Sequence, residues 1–88
     1  MKLSKEKLEE LRDLPLSYRL VQLRTLHGYT QAEVSQKINV GSSVISLWER
    51  AMVIPSAASL GKLSVLYDLP AAFFMDVYEK RDEHRRKD

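Results

Sequence analysis

The sequence predicts an all-α fold, and three features predict it. Thr30 and Glu33 stand at the spacing of a capping box, in which the hydroxyl takes a free amide of the first turn and the carboxylate returns to the cap's own amide. Apolar residues recur at three- and four-residue spacing, as in Val34 and Ile38 or Ile45 and Trp48, which puts them on one face of a helix. Between such runs stand residues that stop a helix or open one: Pro15, Asn39, Pro55 and Pro70.

Residues 1–14 make the first element, a short amphipathic helix with Leu3, Leu8, Leu11 and Leu14 in one broad stripe and nearly all its charges opposite. Ser4 can cap it. A helix of this length is marginal alone, so its leucines must pack on the domain, on a second subunit or on another protein; its own domain is the first expectation. The Leu14-Pro15 step breaks the chain, and Pro15 suits the first turn of the helix that follows.

The stretch from Thr30 to Glu49, TQAEVSQKINVGSSVISLWE, reads as two short helices joined by a tight corner. The first starts near Gln31 and must stop at Asn39, since asparagine enters the left-handed conformation more readily than most residues. Gly41, Ser42 and Ser43 supply N-cap chemistry for the second, helix 41–50. Around it Val44, Ile45 and Trp48 lie on one side, and Ser42, Ser43, Ser46, Leu47 and Arg50 cover the other. That outer face is small, carries no carboxylate and can approach a polyanion's groove closely. On the serines alone, a solvated helix face is the simpler reading.

Beyond Pro55, Ser56 or Ser59 can start a helix carrying Leu60, Leu63 and Tyr67 inward. Pro70 fits the first turn of a last helix, where Phe73, Phe74 and Val77 share one sector with Tyr78 beside them. The apolar surplus of Phe73, Met75, Val77 and Tyr78 exceeds what one small core needs and marks these four as candidates for a two-fold dimer contact. The tail, residues 80–88, mixes both signs of charge and reads as a solvated end rather than a phosphate-binding arm.

From Leu16 to Phe74 the chain resembles the XRE/Cro/CI family of helix-turn-helix repressors. The resemblance rests on Leu16, Leu20, Leu23 and Arg24, on Gly28-Tyr29-Thr30-Gln31, on the motif ending Ile45-Ser46-Leu47-Trp48-Glu49, and on Pro55, Leu60, Leu63, Tyr67 and Leu69. It implies a compact five-helix, lambda-repressor-like bundle over residues 15–79, to which residues 1–14 add an extra short amphipathic helix. It also implies that helix 41–50 enters the major groove of double-stranded DNA while the preceding helix crosses the backbone. Gln31 matches the family position that contacts phosphate and orients recognition-helix side chains; Ser42, Ser43, Ser46 and Leu47 match positions facing base edges; Arg50 falls near the backbone. Arg24 and Glu49 match a pair that the family uses as an internal salt bridge, a scaffold role.

Three departures from the family pattern matter. Asn39 and Ala51 stand where glycine is usual; asparagine tolerates the left-handed conformation, whereas alanine does so at a cost of about 1 kcal/mol, which predicts a different local path before Pro55. The base-facing positions carry serine where the family often has Gln, Arg or Asn. Site preference is therefore expected to lean on thymine methyl groups, water and DNA shape more than on bidentate readout.

Composition bounds the function. Eighty-eight residues with a 44% hydrophobic fraction suffice for one domain with one core. A net charge of +2 is far from the density that holds nucleic acid by charge alone, so binding must rest on a few placed contacts. The absence of cysteine, of a signal-peptide core and of any long apolar run points to the cytoplasm and away from a membrane. No catalytic constellation is present: His27 and His84 are far apart, without the ligands of a zinc site, and there is no phosphate loop or nucleophile elbow. The expectation is a non-enzyme with no cofactor and no metal. Its leading function is a DNA-binding transcriptional regulator, a repressor acting as a homodimer on a palindromic operator. The alternative is an antitoxin or phage component whose chief partner is a protein, a toxin or antirepressor gripped by the N-terminal leucines or the last helix.

Overall fold

A computed structural model describes residues 3–76, which form six helices and no strand. They are α1 (Lys5–Asp13), α2 (Leu16–Leu26), α3 (Gln31–Ile38), α4 (Ser42–Glu49) and α5 (Ala57–Tyr67), followed by α6, whose described part covers residues 72–76. No helix among the described residues is long and apolar enough to cross a membrane.

Helix starts follow the local cap chemistry. Ser4 accepts from the Lys7 amide, Thr30 and Glu33 form both bonds of the capping box, and Ser56 accepts from the Ser59 amide. Pro15 caps α2 from just outside it, one position earlier than the sequence suggests, and Pro70 likewise precedes α6, its carbonyl accepting from the Phe73 amide at 2.9 Å. The ends of α2, α3, α4 and α5 share one device. Gly28, Asn39, Ala51 and Asp68 all take positive φ, and the next amide in each case bonds a carbonyl five residues back. Ala51, at φ +61°, thus follows the glycine-type path rather than the different route expected of it.

The core is assembled from one stripe of each helix: Leu11 from α1, Leu20 and Leu23 from α2, Val34 and Ile38 from α3, Ile45 and Trp48 from α4, Leu60 and Leu63 from α5, and Phe73 and Phe74 at α6. The leucines of α1 pack on their own domain, with Leu11 fully buried and Leu3, Leu8 and Leu14 against the same cluster. Burial of these side chains supplies what the short helices lack alone.

Arg19 lies inside this apolar stripe, 1% exposed. Its Nε donates to the Leu11 carbonyl at 2.9 Å and its Nη2 to those of Arg12 and Leu14 at 2.9 and 2.7 Å. The carbonyls of Arg12 and Leu14 lie at the end of α1, where no further turn supplies donors, while that of Leu11 also accepts from the Leu14 amide at 3.1 Å. Nη1 donates to the Phe73 carbonyl and to Asp76 Oδ1, the latter at 2.9 Å. One guanidinium therefore joins the end of α1 to α6, with the Phe73 ring beneath it at 5.4 Å.

Candidate nucleic-acid interface

The corner between α3 and α4 is three residues long, Asn39 to Gly41. Asn39 turns left-handed at φ +57°, and the Val40 amide closes on the Ser35 carbonyl at 3.0 Å, so the direction of α4 is fixed by backbone bonds. Ile45 and Trp48 then anchor α4 on the core, with Val44 packed at its margin. What remains outward is the set the sequence singles out. Ser42, Ser43 and Arg50 are exposed, and Ser46 and Leu47 are half-buried.

Gly41, Ser42 and Ser43 could each supply the cap of α4. Gly41 is the N-cap, with no side-chain bond, and Ser42 is the first helical residue. The hydroxyls of Ser42, Ser43 and Ser46 are accordingly not engaged in capping.

Gln31, the first residue of α3, is half-buried beside the far end of α4. Its Nε2 donates to Glu49 Oε1 at 3.0 Å. The same carboxylate receives Arg24 in a two-pronged pair, Nε to Oε2 at 2.7 Å and Nη2 to Oε1 at 3.0 Å. Arg24 Nη1 donates to the Tyr29 carbonyl at 3.0 Å, so α2 holds both the end of α4 and the segment leading into α3. The Glu49 hydrogen bond raises the Arg24 pKa above its ordinary value. Burial, and then the Glu49 charge, raises that of the neighbouring Tyr67.

An aromatic group braces this arrangement from behind. His27 packs on Tyr67 with ring centroids 4.9 Å apart, Tyr29 stacks near His27 at 5.8 Å, and the Lys37 ammonium lies 5.0 Å over the Tyr29 ring. Outward serines, the Gln31 amide and the Arg50 side chain thus occur along the α3–α4 unit, with Arg24 and Glu49 underneath.

The dimer candidates fare differently. Phe73 is 3% exposed, set edge-on to Phe74 with centroids 5.3 Å apart, and is therefore part of the monomer's own core rather than a free contact. Met75 is half-buried against that core. Val77 and Tyr78, with the tail at 80–88, lie outside the described residues. Sequence reading missed Arg19 and the Gln31–Glu49 bond. The first had a signal, since Arg19 falls within the apolar stripe of Leu16, Leu20 and Leu23; the second joins positions eighteen apart on different helices.

A helix bundle whose third and fourth members make this corner is a helix-turn-helix domain, and the helix-turn-helix family model matches residues 20–74 of the chain. The chain belongs to the XRE/Cro/CI family of helix-turn-helix transcriptional regulators. It is similar to the HTH-type transcriptional regulator ImmR of Bacillus subtilis (strain 168), with 35% identity over 72 residues covering 80% of this chain and 57% of the relative. The chain thus spans little more than half the length of that relative. No solved structure matches it.

Proposed function

We propose that the chain is a sequence-specific DNA-binding regulator that represses transcription by occupying a roughly palindromic operator as a homodimer. The observation that carries this reading is the outward face of α4. Five residues, Ser42, Ser43, Ser46, Leu47 and Arg50, cover it without a carboxylate, and α3 brings the Gln31 amide alongside. Helix α4 enters the major groove; Ser42, Ser43, Ser46 and Leu47 meet base edges, while Gln31 and Arg50 meet phosphates. Two copies read half-sites about 10 bp apart, one helical turn.

Against the protein-partner alternative stands the use that the domain makes of one of its two surfaces, since Leu11 is buried in the core and Leu3, Leu8 and Leu14 are half-buried against it. Selection of bound sites from randomised duplex DNA tests the leading reading. A symmetric motif is expected, with Gln31→Ala weakening every site alike and Ser43→Ala relaxing preference at one base position. No enriched motif, or a uniform loss from both substitutions, would remove base readout by the serine face.

A further inference from the structure

Resting on the reading of Gln31 as a phosphate contact, we propose that Glu49 is a positioning residue: its carboxylate fixes which end of the Gln31 amide faces inward, and so makes the start of α3 a hydrogen-bond donor toward DNA.

A glutamine side chain ends in a carbonyl oxygen that accepts and an amino group that donates twice, and rotation by half a turn exchanges them. A carboxylate only accepts, so it tolerates the nitrogen and repels the oxygen. Gln31 Nε2 lies 3.0 Å from Glu49 Oε1. With one N–H held there, the second has no partner among the described residues. The flipped amide would turn oxygen against oxygen, so the charge of Glu49 excludes it.

Glu49 can act this way because it is itself immobile. Its side chain is 6% exposed and takes both prongs of Arg24, at 2.7 and 3.0 Å. The same guanidinium holds the Tyr29 carbonyl at 3.0 Å, two residues before Gln31, so carboxylate and amide share one anchor. Arg24 also balances a negative charge that would otherwise stand close to a bound phosphate. A purely structural ion pair requires none of this dependence of Gln31 on Glu49.

The test is a double-mutant cycle on Gln31→Ala and Glu49→Gln, read as affinity for duplex DNA at one salt concentration, with side-chain amide NMR of the DNA-free protein. In the native background Gln31→Ala is expected to lose about ten-fold in affinity, one hydrogen bond's worth. After Glu49→Gln, which lets Gln31 adopt either orientation, the same substitution is expected to lose less than about half as much. The Gln31 side-chain amide signals should move on Glu49→Gln without DNA present. Equal losses in both backgrounds overturn the proposal, as do amide signals that stay in place. Should Glu49→Gln unfold, Glu49→Asp keeps the charge, draws the carboxylate back from Gln31 and enters the same cycle. A native protein that binds no duplex would remove the DNA reading instead, and the amide spectra would still decide the orienting role of Glu49.

Discussion

Ala51 shows how a single residue can hold a backbone path that its side chain opposes. At φ +61° its Cβ crowds the following carbonyl, yet the Met52 amide bond to Leu47, 2.9 Å, and the Ala51 bond to Trp48 close the end of α4 there. Ala51→Gly is expected to raise stability by about 0.5–1 kcal/mol, relief of strain outweighing the added freedom of the unfolded chain, and thermal denaturation reads it directly. A fall in melting temperature would mean that the methyl group contributes packing that its exposure does not suggest. Tyr67 gives the second prediction at this scale. Burial raises its folded pKa above the unfolded value of about 10, so the neutral phenol's contribution is complete below that pH. As pH rises past about 10 the unfolded state loses its proton first, and stability declines toward the folded pKa. Denaturant midpoints measured from pH 8 to 11 should fall for the native protein and fall less steeply for Tyr67→Phe.

Among the elements, α1 and α6 stand or fall together because both hang on Arg19. Arg19→Met takes their side-chain donor from the Arg12 and Leu14 carbonyls at the end of α1 and leaves Asp76 without its guanidinium, at a cost of about 3–5 kcal/mol. Hydrogen exchange should show protection lost over residues 5–13 and 72–76 first, with α3 and α4 retained; uniform loss would contradict a local clamp. The capping box of α3 is a smaller, separable unit. Its bonds to Thr30 lower the Glu33 pKa, so the carboxylate's stabilisation is present above the ordinary carboxylate range and lost as pH falls through the depressed folded value. Thr30→Ala should cost about 1 kcal/mol in a melt at neutral pH. These starts were legible in the sequence because cap chemistry is confined to neighbouring residues, as at Ser4, Thr30 and Ser56. The Asn39 corner and the outward set on α4 were legible for the same reason, since helical periodicity needs only the local chain. What was not legible was non-local. The α1 leucines showed that a surface must cover them without saying which, and the sector shared by Phe73 and Phe74 gave no hint that Arg19 would reach Phe73 from α2. The tie of Gln31 to Glu49 needed the α3–α4 angle, which spacing alone does not supply.

For the whole molecule, the balance of charge predicts how DNA binding responds to salt. Net charge is only +2, and the proposed phosphate contacts in each half-site are one cation, Arg50, and one neutral donor, the Gln31 amide. Neutral donors hold phosphates without displacing condensed counterions, whereas each cation releases about one. A dimer with two Arg50 contacts should therefore show log affinity falling with log salt at a slope of about −2, shallow beside proteins that neutralise six or more phosphates. Arg50→Ala should remove nearly all of that slope, while Gln31→Ala lowers affinity at every salt concentration and leaves the slope as it was. Filter-binding titrations on the selected operator across a salt series separate the two effects. A slope of −5 or steeper, retained in Arg50→Ala, would show that cations elsewhere in the chain carry the contact, and that the corner of α3 and α4 reads the site without being what holds it there.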